Sequence, residues 1–237
     1  MFTYEFLQNY WWAIISLLGG LLVFLMFVQG GNSLIFITKD EEERQLIVNS
    51  TGRKWEFTFT TLVTFGGAFF ASFPLFYSTS FGGAYWVWIL LLVTFVFQAV
   101  SYEFQTKLGN LLGRNTFRTF LLINGCLGPF IVGAAVSTFF TGSDFIVNKA
   151  AVGESLAPTI SVWGNEWHGL EALANPFTIA FGLTVMFLTQ VLGGMYMQGS
   201  IEDERLEGKL VRAVRWTSGL FLAAFLACMA MLLTMPG

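Results

Sequence analysis

Six long stretches without a charged residue constrain the fold of this chain more than any other feature. They run from Trp11 to Ile37, Phe57 to Tyr77, Ala84 to Tyr102, Thr119 to Phe140, Phe177 to Met197 and Trp216 to Leu233. A helix of about 20 apolar residues crosses the roughly 30 Å hydrocarbon core of a bilayer. The stretches are far longer than strands and lack the alternation of barrel strands. The sequence therefore predicts an all-α, polytopic integral membrane protein with six transmembrane helices.

The basic residues are sorted among the gaps that separate these stretches. Eleven of the twelve Lys and Arg residues lie in the first, third and fifth gaps, and Lys149 in the fourth gap is the exception. Short cytoplasmic loops carry an excess of Lys and Arg, so the odd gaps are predicted to face the cytoplasm and both termini to be extracytoplasmic. At 55% hydrophobic and 11% charged residues, the chain has too few polar groups to cover a soluble globule. Membrane lipids are therefore expected around it, and it carries no basic patch suited to nucleic acid.

Small and turn-forming residues predict how neighbouring spans are arranged. The cluster from Ser78 to Gly83 predicts a tight hairpin, with the second and third spans side by side. Small residues at four-residue spacing predict close helix packing on the second and fourth spans. These residues are Gly66, Gly67, Ala68, Ala71 and Ser72 on the second span, and Gly125, Gly128, Gly133 and Ala134 on the fourth.

The longest polar segment, from Thr141 to Asn175, is predicted to be an extracytoplasmic loop. Its aromatic and acidic residues between Trp163 and Glu171 suggest a short helix that lies in the membrane interface. The run from Lys39 to Arg44 is charged at every residue, and a solvated cytoplasmic turn explains it.

Two carboxylates beside the second and third spans are the first candidates for chemistry, because ionisable groups at membrane spans are costly and often functional. Glu56 opens the second span and Glu103 closes the third, almost equally far from the hairpin turn. Helices of equal length would therefore place both at one depth on the cytoplasmic face. If they were paired in the interior, repulsion and desolvation would make one hold its proton more tightly, which suits proton uptake. The alternative is that both are interface charges that end helices.

Metal and nucleotide chemistry find little support in the sequence. His168 is the single histidine, and Cys126 and Cys228 lack C-x-x-C spacing, so this chain alone assembles neither a two-histidine haem site nor a histidine-rich metal site. Glycine-rich phosphate loops are missing. A few polar residues occur within the spans, and they could line a wet path or hydrogen-bond between helices. They are Gln29, Asn32, Thr58, Thr60, Thr61, Thr64, Gln98, Asn124 and Gln190.

Several motifs along the whole chain resemble subunit II of cytochrome bd quinol oxidase. They are Tyr4-Glu5 followed by Tyr10-Trp11-Trp12, the block from Asn49 to Pro74, the run Val100-Ser101-Tyr102-Glu103-Phe104, and Asn175-Pro176-Phe177. The block from Asn49 to Pro74, with its Gly-Gly-Ala run and Pro74, is the most specific of them.

The resemblance implies a role that depends on a partner in the bacterial cytoplasmic membrane. In the family, subunit I carries haem b, haem d and the quinol site, while subunit II is haem-free and packs against it. A quinone bound to this chain and small accessory subunits remain open. Glu56 and Glu103 match family acids on a cytoplasmic proton route toward haem d, with Thr58 and Gln98 as weaker candidates. A purely structural assembly subunit and, less favoured, a proton-coupled secondary transporter are the alternatives.

The chain also departs from the family pattern. Gln29-Gly30-Gly31-Asn32 stands where many members have aspartates, Gln98 where they have Arg, and Phe57-Thr58 where they have Gly-Asn. The family has eight spans in two four-helix units, and this chain has six. Residues 1–140 are therefore expected to form the first unit, residues 141–175 the extracytoplasmic loop, and residues 176–237 an incomplete second unit. A fragment or truncated product is expected, rather than a further chain that supplies the missing helices.

Overall fold

A computed structural model describes residues 3–148 and 160–235, and this part of the chain is mainly helical. The helices are α1 (Tyr4–Leu25), α2 (Phe27–Ser33), α3 (Glu41–Gly52), α4 (Trp55–Ser72), α5 (Pro74–Tyr77), α6 (Tyr85–Phe104), α7 (Arg114–Thr141), α8 (Pro176–Ser200) and α9 (Glu204–Thr234). A π-helical turn covers Ser78–Gly83, and 3-10 turns cover Ile35–Ile37 and Leu170–Ala174. Strands β1 (Phe145–Val147) and β2 (Ser161–Trp163) form an antiparallel ribbon.

Local sequence signals account for several helix ends. The Asp40 carboxylate accepts hydrogen bonds from the first N–H groups of α3, and Asp203 caps α9 in the same way. Asn175 caps α8, and Pro176 follows at the first helical position. Pro74 ends α4, because the residue before a proline is driven out of the helical region.

Within the described residues, five helical segments are long and apolar enough to cross a membrane, so the predicted all-α membrane fold is confirmed. They are Tyr4–Ile37, Tyr85–Phe104, Arg114–Thr141, Pro176–Ser200 and Glu204–Thr234. The predicted second span is not among them. Its helix, α4, has 18 residues, includes Glu56 and four threonines, and stops before Pro74. These polar residues lower its hydropathy, and a sixth span stays a prediction.

The short helix α2 packs at the centre of the bundle, against α7 and α8. Glycines make this contact possible: a Cβ on Gly30 would lie 1.6 Å from the Thr189 carbonyl oxygen, and one on Gly125 would lie 2.6 Å from the Gln29 carbonyl oxygen. The close packing predicted for the fourth span is therefore confirmed. For the glycines of α4 the prediction stays untested: within the described residues Gly66 meets the Phe81 ring at 3.6 Å and Gly67 meets nothing within 4 Å.

Helices α4 and α6, predicted to lie side by side, pack mainly on other helices. Helix α4 packs mainly on α1, and α6 on α7. Aromatic side chains connect the hairpin partners: Phe59 and Phe95 have ring centroids 5.9 Å apart, and Trp55 stacks on Tyr102 at 6.1 Å. The turn between them is found at the predicted Ser78–Gly83.

The interfacial helix predicted between Trp163 and Glu171 is wrong. Ser161–Trp163 is a strand that pairs with Phe145–Val147, and only Leu170–Ala174 forms a single 3-10 turn. Positive φ angles at His168 (42°) and Gly169 (99°) break any helix between the two pieces. Lys149 falls outside the described residues. The division of the chain at residues 140 and 175 stays a prediction.

The odd gaps meet at one end of the bundle, as their shared charge suggested. At this α3 end, Arg118 contacts Glu41, Lys209 contacts Glu43, and the Ser50 and Ser200 hydroxyls lie 2.7 Å apart. The opposite, ribbon end carries β1, β2 and the turn Ser78–Gly83, joined by a hydrogen bond from Thr79 to Ser161. Which end faces the cytoplasm stays a prediction.

Candidate functional site

The two predicted carboxylates line one cavity of about 450 Å³ at the α3 end. Glu56 lies in the first turn of α4, and Glu103 lies near the end of α6, so the antiparallel course of these helices brings the two together. The other residues of this uptake pocket are Gln45, Val48, Asn49, Gly52, Arg53, Trp55, Tyr102, Gln105 and Thr106. The role of Glu56 and Glu103 in proton transfer stays a prediction.

Neither carboxylate is shielded from solvent. The Glu103 side chain is 62% exposed and its carboxylate lies 2.9 Å from the Lys107 ammonium one helical turn away. Glu56 is also exposed, beside the helix N-terminus, where the macrodipole favours a negative charge. The described chain therefore presents two accessible carboxylates in one pocket rather than a pair enclosed in the protein interior.

Tyr102 connects the uptake pocket to the interior. Its ring lines the pocket, and its hydroxyl donates to the Asn32 side-chain oxygen at 2.5 Å. The Thr51 hydroxyl lies 2.9 Å from the same phenolic oxygen. One hydroxyl of α6 thus joins α2 and α3 beside the pocket that the two glutamates line.

Four buried amides continue this network between the helices. Asn32 donates to the Asn124 side-chain oxygen at 3.4 Å, and Gln29 donates to the Gln98 side-chain oxygen at 2.8 Å. All four side chains are buried, yet Gln29 Oε1, Gln98 Nε2 and Asn124 Nδ2 have no hydrogen-bond partner within residues 3–148 and 160–235. Buried polar atoms without partners in a protein are commonly satisfied by internal water. This amide cluster can therefore hold water in the bundle core.

Gln98 and Thr58, the two weaker candidates, differ in their surroundings. Gln98 belongs to the amide cluster. Thr58 is buried and donates to the Leu25 carbonyl oxygen at 2.8 Å, so its hydroxyl fastens α4 to the end of α1. The more exposed threonines of α4, Thr60, Thr61 and Thr64, donate to their own helix backbone. A role for Thr58 in proton transfer stays a prediction.

Arg118 holds α3 in place and was missed by the sequence reasoning, which counted it only as a gap charge. Its side chain is fully buried, and its guanidinium donates to both Glu41 carboxylate oxygens at 2.6 and 2.8 Å. Arg114 reaches the same carboxylate at 3.6 Å. The hydrogen bonds from Arg118 lower the pKa of Glu41. The run from Lys39 to Arg44 is thus an anchored helix start rather than a solvated turn.

The start of α3 is also attached to α9. The Glu43 carboxylate contacts the Lys209 ammonium at 2.5 Å and accepts a hydrogen bond from the Thr38 hydroxyl. Because the other end of α3 supplies Val48, Asn49 and Gly52 to the uptake pocket, these ion pairs fix one wall of that pocket.

His168 lies away from the uptake pocket, at the ribbon end. Its Nδ1 atom is 2.9 Å from the Gly83 carbonyl oxygen, and its ring packs on Tyr85. No cluster of three His, Cys, Asp or Glu side chains suited to a metal ion occurs in residues 3–148 and 160–235.

The candidate spans and the polar network between them define a multi-pass helical membrane protein. The sequence profile of the cytochrome bd terminal oxidase subunit II family matches residues 7–236, so the chain belongs to that family. It is 28% identical over 233 residues to cytochrome bd-I ubiquinol oxidase subunit 2 of Escherichia coli (strain K12). The aligned region covers 98% of this chain and 57% of that protein.

Two other relatives extend the comparison. The probable cytochrome oxidase subunit 2 of Haemophilus influenzae is 28% identical over 200 residues, 84% of this chain and 50% of that protein. The cytochrome bd ubiquinol oxidase subunit 2 of Bacillus subtilis is 27% identical over 141 residues, 57% of this chain and 41% of that protein. The matched part of the chain therefore spans between 41% and 57% of the length of these curated relatives.

Proposed function

We propose that this chain is the haem-free subunit II of a cytochrome bd type quinol:oxygen oxidoreductase of the aerobic respiratory chain. It lies in the bacterial cytoplasmic membrane with both termini extracytoplasmic, and a partner subunit I holds haem b and haem d. Family membership and relatives named ubiquinol oxidase subunit 2 support this proposal. So does the surface of α9, since the described residues bury only 11% of its most apolar part, which leaves a large face for lipid or a partner helix.

The chain's own contribution is a proton-uptake route from the α3 end. Glu56 and Glu103 take protons from the cytoplasm, and the Tyr102 hydroxyl links their pocket to the amide cluster. The observation that carries this proposal is the position of Tyr102, which lines the pocket and bonds to buried Asn32. Carboxylates exchange protons readily near neutral pH, whereas amides do not. Water at the three unpartnered amide atoms therefore completes the route.

Such a route separates charge without a pump. Reduction of oxygen to water consumes protons, which the uptake pocket supplies from the cytoplasmic side. Oxidation of quinol releases protons on the outer side. The uptake of one set and the release of the other on opposite faces generates the proton gradient.

Glutamine variants in the oxidase purified through this chain test the proposal. Glu56→Gln and Glu103→Gln are expected to slow oxygen reduction about 10- to 100-fold while haem content stays normal, since proton transfer by a positioned side chain contributes about 10²- to 10⁴-fold. Glu42→Gln, an exposed carboxylate of α3, is the control and keeps wild-type turnover. Wild-type turnover of both pocket variants at every pH would remove the uptake role.

A purely structural assembly role is the second candidate, and the ion pair of Glu103 with Lys107 favours it, because a paired surface carboxylate can simply end a helix. In that case the pocket variants lower the yield of the complex and leave turnover per haem unchanged. A proton-coupled transporter is distinguished by colour: it purifies without haem absorbance and binds a solute, whereas an oxidase subunit brings haem with it.

A further inference from the structure

A second, larger cavity lies at the ribbon end of the bundle. Its volume is about 1220 Å³, above the roughly 300–1,000 Å³ of typical small-molecule sites. Its walls are aromatic and aliphatic side chains of α4, α6 and α7, and its roof is the β1–β2 ribbon with the turn Leu170–Ala174. Its lining includes Leu62, Phe65, Phe69, Ser72, Phe130 and Ala135.

The depth of the cavity matches one leaflet of a bilayer. On α4 the lining begins at Leu62 and continues to Ser72 at the end of the helix. Ten residues at 1.5 Å each give about 15 Å, which is half of the roughly 30 Å hydrocarbon core. The apolar part of the cavity therefore has the length of a lipid chain in one leaflet.

The mouth of the cavity carries negative charge. Asp144 and Glu171 both line it. Asp144 accepts a hydrogen bond from Asn165, and Glu171 accepts from the Trp163 indole and the Gly169 N–H. Neither carboxylate has an ion-pair partner among residues 3–148 and 160–235. A ligand with a positively charged head complements this rim, whereas an anionic head is repelled.

An unpartnered hydroxyl lies between the charged mouth and the apolar walls. Thr60, Thr61 and Thr64 of α4 donate to their own backbone, but the Ser72 Oγ atom of the same helix is buried and has no hydrogen-bond partner in the described part of the chain. A buried donor without an acceptor is costly, so an oxygen atom of a ligand is expected beside it. The ester oxygens of a phospholipid lie between its head group and its chains, at this level.

We propose that the cavity binds an aminophospholipid from the leaflet at the ribbon end. The ammonium group lies at Asp144 and Glu171, an ester oxygen accepts from Ser72, and one acyl chain lies among Phe65, Phe69 and Phe130. A quinone carbonyl could accept from Ser72, but a quinone has no cationic group for Asp144 and Glu171, so it complements only part of the cavity. This assignment is independent of the proton-uptake proposal.

Native mass spectrometry of the delipidated, detergent-solubilised protein tests the assignment. Phosphatidylethanolamine, phosphatidylglycerol and a ubiquinone are added at equal concentration. Wild type is expected to retain phosphatidylethanolamine over phosphatidylglycerol by about fivefold, as two partly exposed charges allow. The double variant Asp144→Asn/Glu171→Gln removes both charges, keeps one acceptor oxygen on each side chain, and brings that ratio close to one. Glu166→Gln, an exposed carboxylate of the same loop outside the cavity, leaves the ratio unchanged.

A second variant tests the cavity without touching its charges. Ala135 lines the wall on α7, and Ala135→Phe fills the space of an acyl chain with another apolar group. We expect it to abolish retention of the aminophospholipid. Equal retention of both phospholipids by wild type, a preference for the quinone, or undiminished lipid binding by Ala135→Phe would each overturn the proposal.

Discussion

The phenolic oxygen of Tyr102 lies 2.5 Å from the side-chain oxygen of Asn32, a contact that spans 70 residues of sequence. Tyr102 belongs to α6, whose end carries Glu103, and Asn32 belongs to α2, the helix at the centre of the bundle. The hydrogen bond thus links the solvent-accessible pocket to the buried amide cluster. Removal of the Tyr102 hydroxyl alone would break this link between the pocket and the amide cluster.

Tyr102→Phe is expected to destabilise the protein and to slow oxygen reduction. The variant leaves the Asn32 side-chain oxygen without its donor in a buried site, which costs about 1–3 kcal/mol. It keeps the ring and its stacking on Trp55. Denaturant unfolding and oxygen consumption per haem measure the two effects. Tyr196→Phe is the control, because the Tyr196 ring packs on Phe27 without a described hydrogen bond. Equal turnover in the two variants would remove Tyr102 from the route.

Glu41→Gln is expected to lower the free energy of unfolding by about 1–3 kcal/mol. The change leaves the fully buried Arg118 guanidinium without its anion, and the range is reduced from that of an enclosed pair because the Glu41 side chain is 55% exposed. The neighbouring Glu42→Gln, which breaks no ion pair among the described residues, is the matched control. Thermal unfolding in detergent compares them. A Glu41 variant as stable as the Glu42 variant would contradict the anchoring role of Arg118.

The ion pair between Arg118 and Glu41 is expected to make the stability of the fold depend on pH in acid. Arg118 lowers the pKa of Glu41 below its ordinary value of 4.5, so the folded state favours the charged carboxylate. This stabilisation is fully present above pH 4.5 and is lost as the pH falls through the lowered pKa. The stability difference between wild type and Glu41→Gln is therefore expected to be constant from pH 7 to pH 5 and to shrink below that. A difference that grows in acid would contradict the sign.

The sequence predicted features that depend on one helix or one hairpin. Span length and the sorting of charge predict a helical membrane bundle, and the position of the turn between Glu56 and Glu103 predicts that they share one end. Contacts between distant helices were out of reach. Arg118 and Glu41 are 77 residues apart, and whether they meet depends on the rotation and depth of α7 against α3. No periodic pattern in the sequence encodes that rotation or that depth.

The loop after α7 shows a different limit. Its Trp and Glu residues suggested an amphipathic helix, but three-residue strands are too short to give a recognisable alternation. The positive φ angle of His168 depends on contacts with the hairpin, where its ring meets Tyr85 and its Nδ1 atom meets the Gly83 carbonyl. Tertiary contacts therefore decide the local conformation there.

Helices α2 and α8 approach each other closely at Gly30. A Cβ at Gly30 would lie 1.6 Å from the Thr189 carbonyl oxygen, and backbone of a neighbouring helix cannot move aside as a flexible side chain can. Gly30→Ala is therefore expected to force the helices apart and to cost at least about 3 kcal/mol, at the upper end of overpacking effects. Gly20→Ala in α1, where a Cβ meets nothing within 4 Å, is the matched control and is expected to be neutral or stabilising, because Ala favours helix. Thermal unfolding and the yield of folded protein in detergent measure both. Comparable stability of the two alanine variants would show that α2 and α8 are not packed backbone to backbone, and the amide cluster carried by Gln29 and Asn32 would then lose its fixed geometry.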